Sequence, residues 1–158
     1  MIWGAVTFYW RIGNHLDLSG KGALIAPARW HSKVLPVVYL AESPPGALLE
    51  HLVHLVGKNG RLPRTYSLLK IDAPENLAIH KVDDFDTQSW KDSIEVTQRI
   101  GDDWLRSLNS PLARVPSVII RDTWNILLNP LHPESSRFRI VSVTQEAFDL
   151  RLFRFGTR

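Results

Sequence analysis

The sequence contains no cysteine. This absence excludes disulfide bonds, a thiol nucleophile and cysteine-ligated zinc or iron–sulfur centres. Long hydrophobic runs are also missing, because the longest apolar stretches span only about five residues, far fewer than a membrane-crossing helix needs. Arg11 and His15 interrupt the apolar N-terminal stretch, which argues against a signal peptide. Together these absences predict a cytoplasmic protein without a membrane segment.

The sequence also lacks a large excess of positive or negative charge. The chain has 19 Lys and Arg against 16 Asp and Glu, a net charge of +3, and a pI near 9.4. No run of five basic residues occurs. The surplus is compatible with nucleic acid, an acidic partner or a phosphorylated metabolite.

The 158 residues are 44% hydrophobic and include six Trp and six Phe, which is enough to form a core. No linker, low-complexity segment or internal repeat divides them. The sequence therefore predicts one domain over residues 1–158.

Composition and alternation predict about seven short strands, at residues 2–12, 37–41, 64–71, 77–82, 115–120, 139–144 and 151–155. Loops are predicted at 15–27 and 83–90, and a turn at 125–133. Ser43 as N-cap, prolines in the first turn and Gly57 as a stop predict one helix. A second helix begins at 101 or 102, or continues from Ile94. Because strands and helices do not alternate regularly, we expect an α/β (α+β) domain with a mixed sheet.

The first predicted helix has a broad apolar surface. We expect its buried side to consist of Leu48, Leu49, Leu52, Val53, Leu55 and Val56. Ala47, Glu50 and His54 fall elsewhere, with Glu50 and His54 one turn apart.

Three polar residues around this helix suggest a binding site. Arg29 ends a polar loop, Tyr39 lies in the following strand and Glu50 lies in the helix. An arginine can bind phosphate, a tyrosine ring can stack on a heterocycle, and a carboxylate can hold a ribose hydroxyl or stabilise an oxocarbenium ion. Simpler alternatives are a surface ion pair for Arg29, a core position for Tyr39 and a solvent-facing position for Glu50.

Other motifs exclude several kinds of site. His51 and His54 are three residues apart without an H-E-x-x-H pattern, so no metal site is expected. Ser117 is not in a G-x-S-x-G motif and is of the kind that usually bonds its local backbone. Dinucleotide-binding and Walker motifs are absent.

Eight segments, in order, resemble one protein family. They are W-R-I at 10–12, S-G-K-G-A at 19–23, R-W at 29–30, P-V-V-Y-L-A-E-S at 36–43, L-L-E at 48–50, I-G-D-D-W-L at 100–105, V-P-S at 115–117, and Asn125 followed by L-N-P-L-H-P at 128–133. The chain resembles RES domain proteins, the toxin half of RES–Xre toxin–antitoxin modules, which are named for an Arg, a Glu and a Ser.

This resemblance implies a fold related to ADP-ribosyltransferases and an activity on NAD. Such toxins cleave the nicotinamide–ribose bond with water or phosphate as acceptor, whereas some relatives transfer ADP-ribose to a protein. NAD is then the substrate, and neither a cofactor nor a metal is implied. The implied partner is an Xre-family helix-turn-helix antitoxin, in a homo-oligomer or a hetero-oligomeric complex, with no direct nucleic-acid or membrane contact.

The resemblance also assigns roles to residues. The implied catalytic set is Arg29 on the pyrophosphate or its ribose, Tyr39 on the nicotinamide, Glu50 on the ribose and the developing cation, and Ser117 on the ribose or Glu50. Further implied substrate contacts are Arg11, Trp30, His31 and Asn129.

The chain departs from the family pattern around Arg29. Pro27 and Ala28 replace glycines, His31 replaces an Asn, and Val34 stands where Gly is common. These departures favour an alternative, a degenerate module that binds nucleotide or antitoxin without turnover. The basic pI supports a third candidate, a nucleic-acid-binding protein.

Overall fold

The computed structural model describes residues 7–56, 63–83 and 88–154. Within them, seven strands are β1 (Thr7–Ile12), β2 (Val38–Ala41), β3 (Thr65–Ala73), β4 (Ile79–Lys81), β5 (Leu112–Pro116), β6 (Trp124–Leu128) and β7 (Arg139–Ala147). The α-helices are α1 (Pro44–Val56) and α2 (Ile94–Ser107). Short 3-10 helices cover Lys21–Leu24, Gln88–Asp92, Pro133–Arg137 and Leu150–Phe153.

The strands form one sheet in the order β4-β5-β6-β2-β1-β3-β7. Neighbouring strands are antiparallel except β4 and β5, which are parallel. The predicted mixed-sheet α+β class is confirmed. No helix among the described residues is both long and apolar enough to cross a membrane.

Each side of the sheet carries its own core. On one side Tyr9, Leu40 and Ile126 pack with Phe138 from the chain before β7. On the other, which we call the helical face, Leu127 and Val115 pack with Trp104 and Leu105 of α2. Alternation along β6 places Asn125 on the helical face with Leu127, since residues two apart share a side.

The helix α1 begins as the sequence predicts. The Gly46 amide donates to the Ser43 side-chain oxygen at 3.1 Å, which confirms Ser43 as N-cap. The helix contacts β1 and β2. Because Gly46 and Ala47 are small, its first turn can lie close to Ala41 of β2.

The burial predicted for α1 is partly wrong. Ala47 is buried, although it was expected to lie elsewhere, and Val53 is exposed. Leu48, Leu49, Leu52 and Leu55 are only half-buried, and the Val56 side chain lies outside the described residues. Among the described side chains of the helix, Ala47 is therefore the one that is fully buried, whereas the leucines are partly covered.

Three predicted segments also differ. The strand expected at 115–120 is β5, which ends at Pro116, and the turn expected from 125 is β6. Residues 151–153 form a 3-10 helix instead of a strand, because the Asp149 carboxylate accepts from the Arg151 amide and caps a tight turn there. The predicted residues 2–6, the predicted helix stop Gly57, and residues 84–87 and 155 lie outside the described chain.

Candidate active site

Glu50 projects from α1 towards the sheet and is half-buried. Its Oε1 atom accepts hydrogen bonds from Ser117 Oγ at 2.7 Å and from Asn125 Nδ2 at 2.8 Å. Ser117 directly follows β5 and is buried. Its Oγ accepts from the Ile119 amide at 3.1 Å, so its single proton is directed at Glu50. Ser117 therefore makes both the local backbone hydrogen bond that is usual for such a serine and a hydrogen bond to Glu50.

Asn125 is a site residue that the sequence analysis did not single out. It lies on β6 opposite Ala41 of β2 and Val115 of β5. Its position in a family-like segment was the available signal, but the expected turn at 125–133 hid its place on a central strand.

Arg29 lies at the tip of a tight turn. The Ala28 amide donates to the His31 carbonyl at 3.1 Å and the His31 amide to the Ala28 carbonyl at 3.4 Å, which leaves Arg29 and Trp30 between them. The Arg29 guanidinium carbon is 5.8 Å from the centroid of the Trp90 ring. Its Nη1 atom is buried without a hydrogen-bond partner among the described residues. A buried donor without a partner is costly, and such a group suits an anionic ligand.

The helix α2 holds this turn from behind. Thr97 Oγ1 donates to the Arg29 carbonyl at 2.6 Å, and Gln98 Nε2 donates to the Ala28 carbonyl at 2.9 Å. The Asp102 carboxylate accepts from the Ser32 amide at 3.0 Å and from its hydroxyl at 2.6 Å. The position of Arg29 is thus fixed by a helix some 70 residues away in sequence.

Gly101 lets α2 come this close. A Cβ atom at this position would lie 1.8 Å from the Trp30 carbonyl oxygen and 2.8 Å from its carbon. No side chain fits there without moving the turn or the helix. Gly101 belongs to the family-like segment 100–105, but its packing against Trp30 is not evident from the sequence.

Tyr39 supports the same turn from the sheet. Its hydroxyl oxygen accepts from the Trp30 amide at 3.2 Å and lies 2.9 Å from His31 Nδ1. Both the Ala23 and Ala26 carbonyls lie near His31 Nε2, at 3.2 and 3.0 Å. Carbonyls only accept, so Nε2 carries the proton, and in the neutral ring Nδ1 accepts from the tyrosine. Burial raises the pKa of the Tyr39 phenol well above its ordinary value, although the Trp30 amide opposes this.

Several predicted substrate contacts are corrected by this geometry. Trp30 and His31 are each only 2% exposed, and Asn129 is 0% exposed. Asn129 Nδ2 donates to the Leu105 carbonyl at 2.9 Å, and its Oδ1 accepts from the Leu131 amide at 3.1 Å. These three side chains are inaccessible to a ligand in this structure. Their role in the candidate site is therefore structural.

Arg11 is also reassigned. Trp10 pairs with Ala41, so Trp10 is on the helical face and Arg11 is on the other side of the sheet. Arg11 Nη1 donates to the Asp17 carbonyl at 2.7 Å and to the His15 carbonyl at 3.3 Å. It fastens the loop after β1 and does not reach the side that carries Glu50.

Strand register brings the Arg29 and Glu50 groups together. Tyr39 pairs with Leu127, and Ala41 pairs with Asn125. Tyr39 and Asn125 are therefore diagonal neighbours on the helical face, and diagonal positions on adjacent strands are typically about 7–8 Å apart. One of these residues supports the Arg29 turn and the other holds Glu50. The Arg29 turn and Glu50 are thus held by neighbouring positions on the same face of the sheet.

The described residues contain no group of three or more His, Asp or Glu placed to hold an ion. The His51 ring stacks on Phe148, with centroids 6.4 Å apart and planes inclined by 6°. His54 is exposed. The two histidines therefore do not form a chelating pair here.

Comparison with known proteins gives consistent relatives. Toxin Res of Pseudomonas putida is 40% identical over 144 residues, covering 91% of this chain and 98% of that protein. The Prs ADP-ribosylating toxin of Sphingobium sp. is 33% identical over 159 residues, covering 94% of this chain and 98% of that protein.

A solved structure shares the fold. A chain of the M. tuberculosis MbcT–MbcA toxin–antitoxin complex aligns with a TM-score of 0.69 and 18% identity, covering 90% of this chain and 85% of that one. The RES domain family itself matches residues 2–151. The chain therefore belongs to the RES domain family.

Proposed function

We propose that this protein is the toxin of a toxin–antitoxin pair and that it cleaves the nicotinamide–ribose bond of NAD. The observation that carries the proposal is the Glu50 carboxylate, held at one oxygen by Ser117 and Asn125. The other oxygen, Oε2, accepts no hydrogen bond from the described residues and is available to a ligand. The Arg29 turn on the same side of the sheet supplies a cationic group for the pyrophosphate.

The proposed reaction needs little from the protein besides placement and charge. The bond between the nicotinamide nitrogen and the ribose carbon breaks, and its electron pair leaves with neutral nicotinamide. Positive charge then develops on the ribose, where a fixed carboxylate stabilises it by an amount worth about 2.7–4 kcal/mol for a comparable electrostatic group. A water or phosphate oxygen adds to the ribose carbon. When water is the acceptor, it loses a proton to the solvent in this step and gives ADP-ribose.

We assign the following roles to the residues of the site. Arg29, whose Nη1 atom has no hydrogen-bond partner among the described residues, binds the pyrophosphate of NAD. Glu50 Oε2 faces the ribose. Tyr39 keeps its hydroxyl bonded within the turn, so we assign it to holding Arg29 in place, with its ring forming part of the wall beside the nicotinamide.

The experiment measures nicotinamide release from NAD by chromatography with purified protein. We expect wild-type protein to release nicotinamide and Glu50→Gln to be slower by about 100-fold or more, because the amide has nearly the same shape without the charge. Glu75→Gln is the matched control, since Glu75 is exposed in the connection after β3. Absence of release from wild type, or equal rates in wild type and Glu50→Gln, would contradict the proposal. Calorimetric binding of NAD without product would instead select the nucleotide-binding alternative.

A second candidate is transfer of ADP-ribose to a protein. It is favoured by one relative, whose name describes an ADP-ribosylating toxin. The same reaction mixture distinguishes the acceptors. Free ADP-ribose indicates water, its 1-phosphorylated form in phosphate buffer indicates phosphate, and radiolabel retained on protein from adenylate-labelled NAD indicates a protein acceptor.

The proposed partner is a helix-turn-helix antitoxin of the Xre family that blocks the site in the cytoplasm. Support comes from the family and from a structural neighbour that is a toxin–antitoxin complex. We expect a small helix-turn-helix protein encoded next to this chain to co-purify with it and to suppress nicotinamide release. An adjacent helix-turn-helix protein that neither binds nor inhibits would contradict this assignment.

A further inference from the structure

The two hydrogen bonds to Glu50 end on the same oxygen. Ser117 Oγ and Asn125 Nδ2 both donate to Oε1, at 2.7 and 2.8 Å. Their origins differ, because Ser117 follows β5 and Asn125 lies within β6. β6 is an inner strand, paired with β2 on one side and β5 on the other. Asn125 therefore offers a donor fixed by strand pairing on both sides.

The helix that carries Glu50 buries few of its side chains completely. Its leucines are only half-buried, Val53 is exposed, and its buried contact is through small residues near its start. Glutamate has three side-chain torsions, so packing of this kind does not by itself fix the carboxylate. The donors from the sheet fix it by determining where Oε1 lies and, consequently, where Oε2 lies.

We propose that Asn125 is a positioning residue for the reaction, which divides the Glu50 carboxylate into an anchored oxygen, Oε1, and a working oxygen, Oε2. This inference rests on the proposed function and adds to it a residue that contacts Glu50 and not the substrate. Without the Asn125 donor, Oε1 keeps only the hydrogen bond from Ser117 among the described residues, and the carboxylate can rotate about this contact. The turnover rate then falls, whereas NAD binding through Arg29 persists.

The test compares Asn125→Asp with Asn109→Asp. The first replaces the donor by an acceptor of the same shape, and the second makes the same chemical change at an exposed site after α2. We expect Asn125→Asp to lower kcat for nicotinamide release at least tenfold while the Kd for NAD, measured by calorimetry, changes less than threefold. Asn109→Asp should match wild type in both.

A purely structural tether between α1 and the sheet predicts a different result. In that case the rate loss follows the unfolded fraction and disappears at temperatures where circular dichroism shows the variant fully folded. If Asn125→Asp does not fold, Asn125→Ser serves instead, because its shorter side chain removes the donor to Oε1 without adding charge. An unchanged kcat in a folded, donor-free variant would overturn the inference, as would a weakened Kd that accounts for the whole loss.

Failure of this inference and failure of the proposed function give different outcomes. Wild-type protein that releases no nicotinamide refutes the function. Active wild-type protein together with an equally active Asn125→Asp variant refutes only the role of Asn125.

Discussion

Substitution of Gly101 by Ala tests how the Arg29 turn is positioned. Alanine normally stabilises a helix interior relative to glycine by about 1 kcal/mol. Here the added Cβ would lie 1.8 Å from the Trp30 carbonyl oxygen, so helix and turn must separate by about 1.2 Å to reach even a 3.0 Å contact. Thr97 and Asp102 bond the same turn on either side of Gly101, so this separation strains bonds that now hold it.

We expect Gly101→Ala to lose about 1–3 kcal/mol of unfolding free energy, as is usual for an overpacked interior. The displaced Arg29 should lower kcat/KM for NAD about 100-fold, as a misplacement of about 1 Å in a binding group can do. Urea unfolding measures the first effect and nicotinamide release the second.

Gly22→Ala is the matched control, since its Cβ would meet only the His15 ring, at 3.9 Å. This variant should behave as wild type in both assays. If Gly101→Ala were as stable and as active as Gly22→Ala, the close approach of α2 to the turn would not be what positions Arg29.

Two further substitutions test the turn. Arg29→Lys should raise the KM for NAD about tenfold or more, because an ammonium cannot replace the planar fork of donors, whereas the exposed Arg99→Lys should leave KM unchanged. Equal KM values for the two variants would contradict the anion-binding role. Tyr39→Phe should reduce the alkaline loss of stability: burial raises the pKa of this phenol, so stability is full below the unfolded value of about 10 and declines above it. The decline is measured as the difference between the urea midpoints near pH 8 and at about pH 11. Part of it remains in the variant, because burial also raises the pKa of Tyr9. An equal decline of the urea midpoint in Tyr39→Phe and in wild-type protein would refute this contribution of the Tyr39 phenol.

Much of the fold is predictable from local sequence. The Ser43 cap and its prolines locate the start of α1, and the strand at Val38–Ala41 follows from a short apolar run. The errors have identifiable causes. Asp149 starts a capped turn where alternating residues suggest a strand, and Asn125 resembles a turn residue although apolar neighbours place it on a central strand.

The candidate site is only partly accessible from sequence. Arg29, Tyr39, Glu50 and Ser117 are predicted from residue chemistry and family resemblance, and the structure brings them to one side of the sheet. The supporting contacts are not predictable locally, because Thr97 and Asp102 act on residues about 70 positions away. The side of the sheet on which Arg11 lies was not predicted, because a one-residue step along a strand changes the side.

The departures around Arg29 also become interpretable. His31, in place of the family's Asn, uses both ring nitrogens to join Tyr39 to the preceding loop. Ala28 closes the tight turn through its backbone. Ala28 and His31 thus both take part in an ordered turn.

Arg29 is proposed to bind NAD, and Glu50 to stabilise the charge that develops as NAD is cleaved. Calorimetric titration with NAD and nicotinamide release, measured on one preparation of Glu50→Gln, test this proposal most directly. The account predicts a Kd for NAD within threefold of wild type, extrapolated to zero turnover, and a kcat reduced about 100-fold or more. A kcat close to that of wild type would contradict it, as would a loss of activity explained entirely by weaker binding.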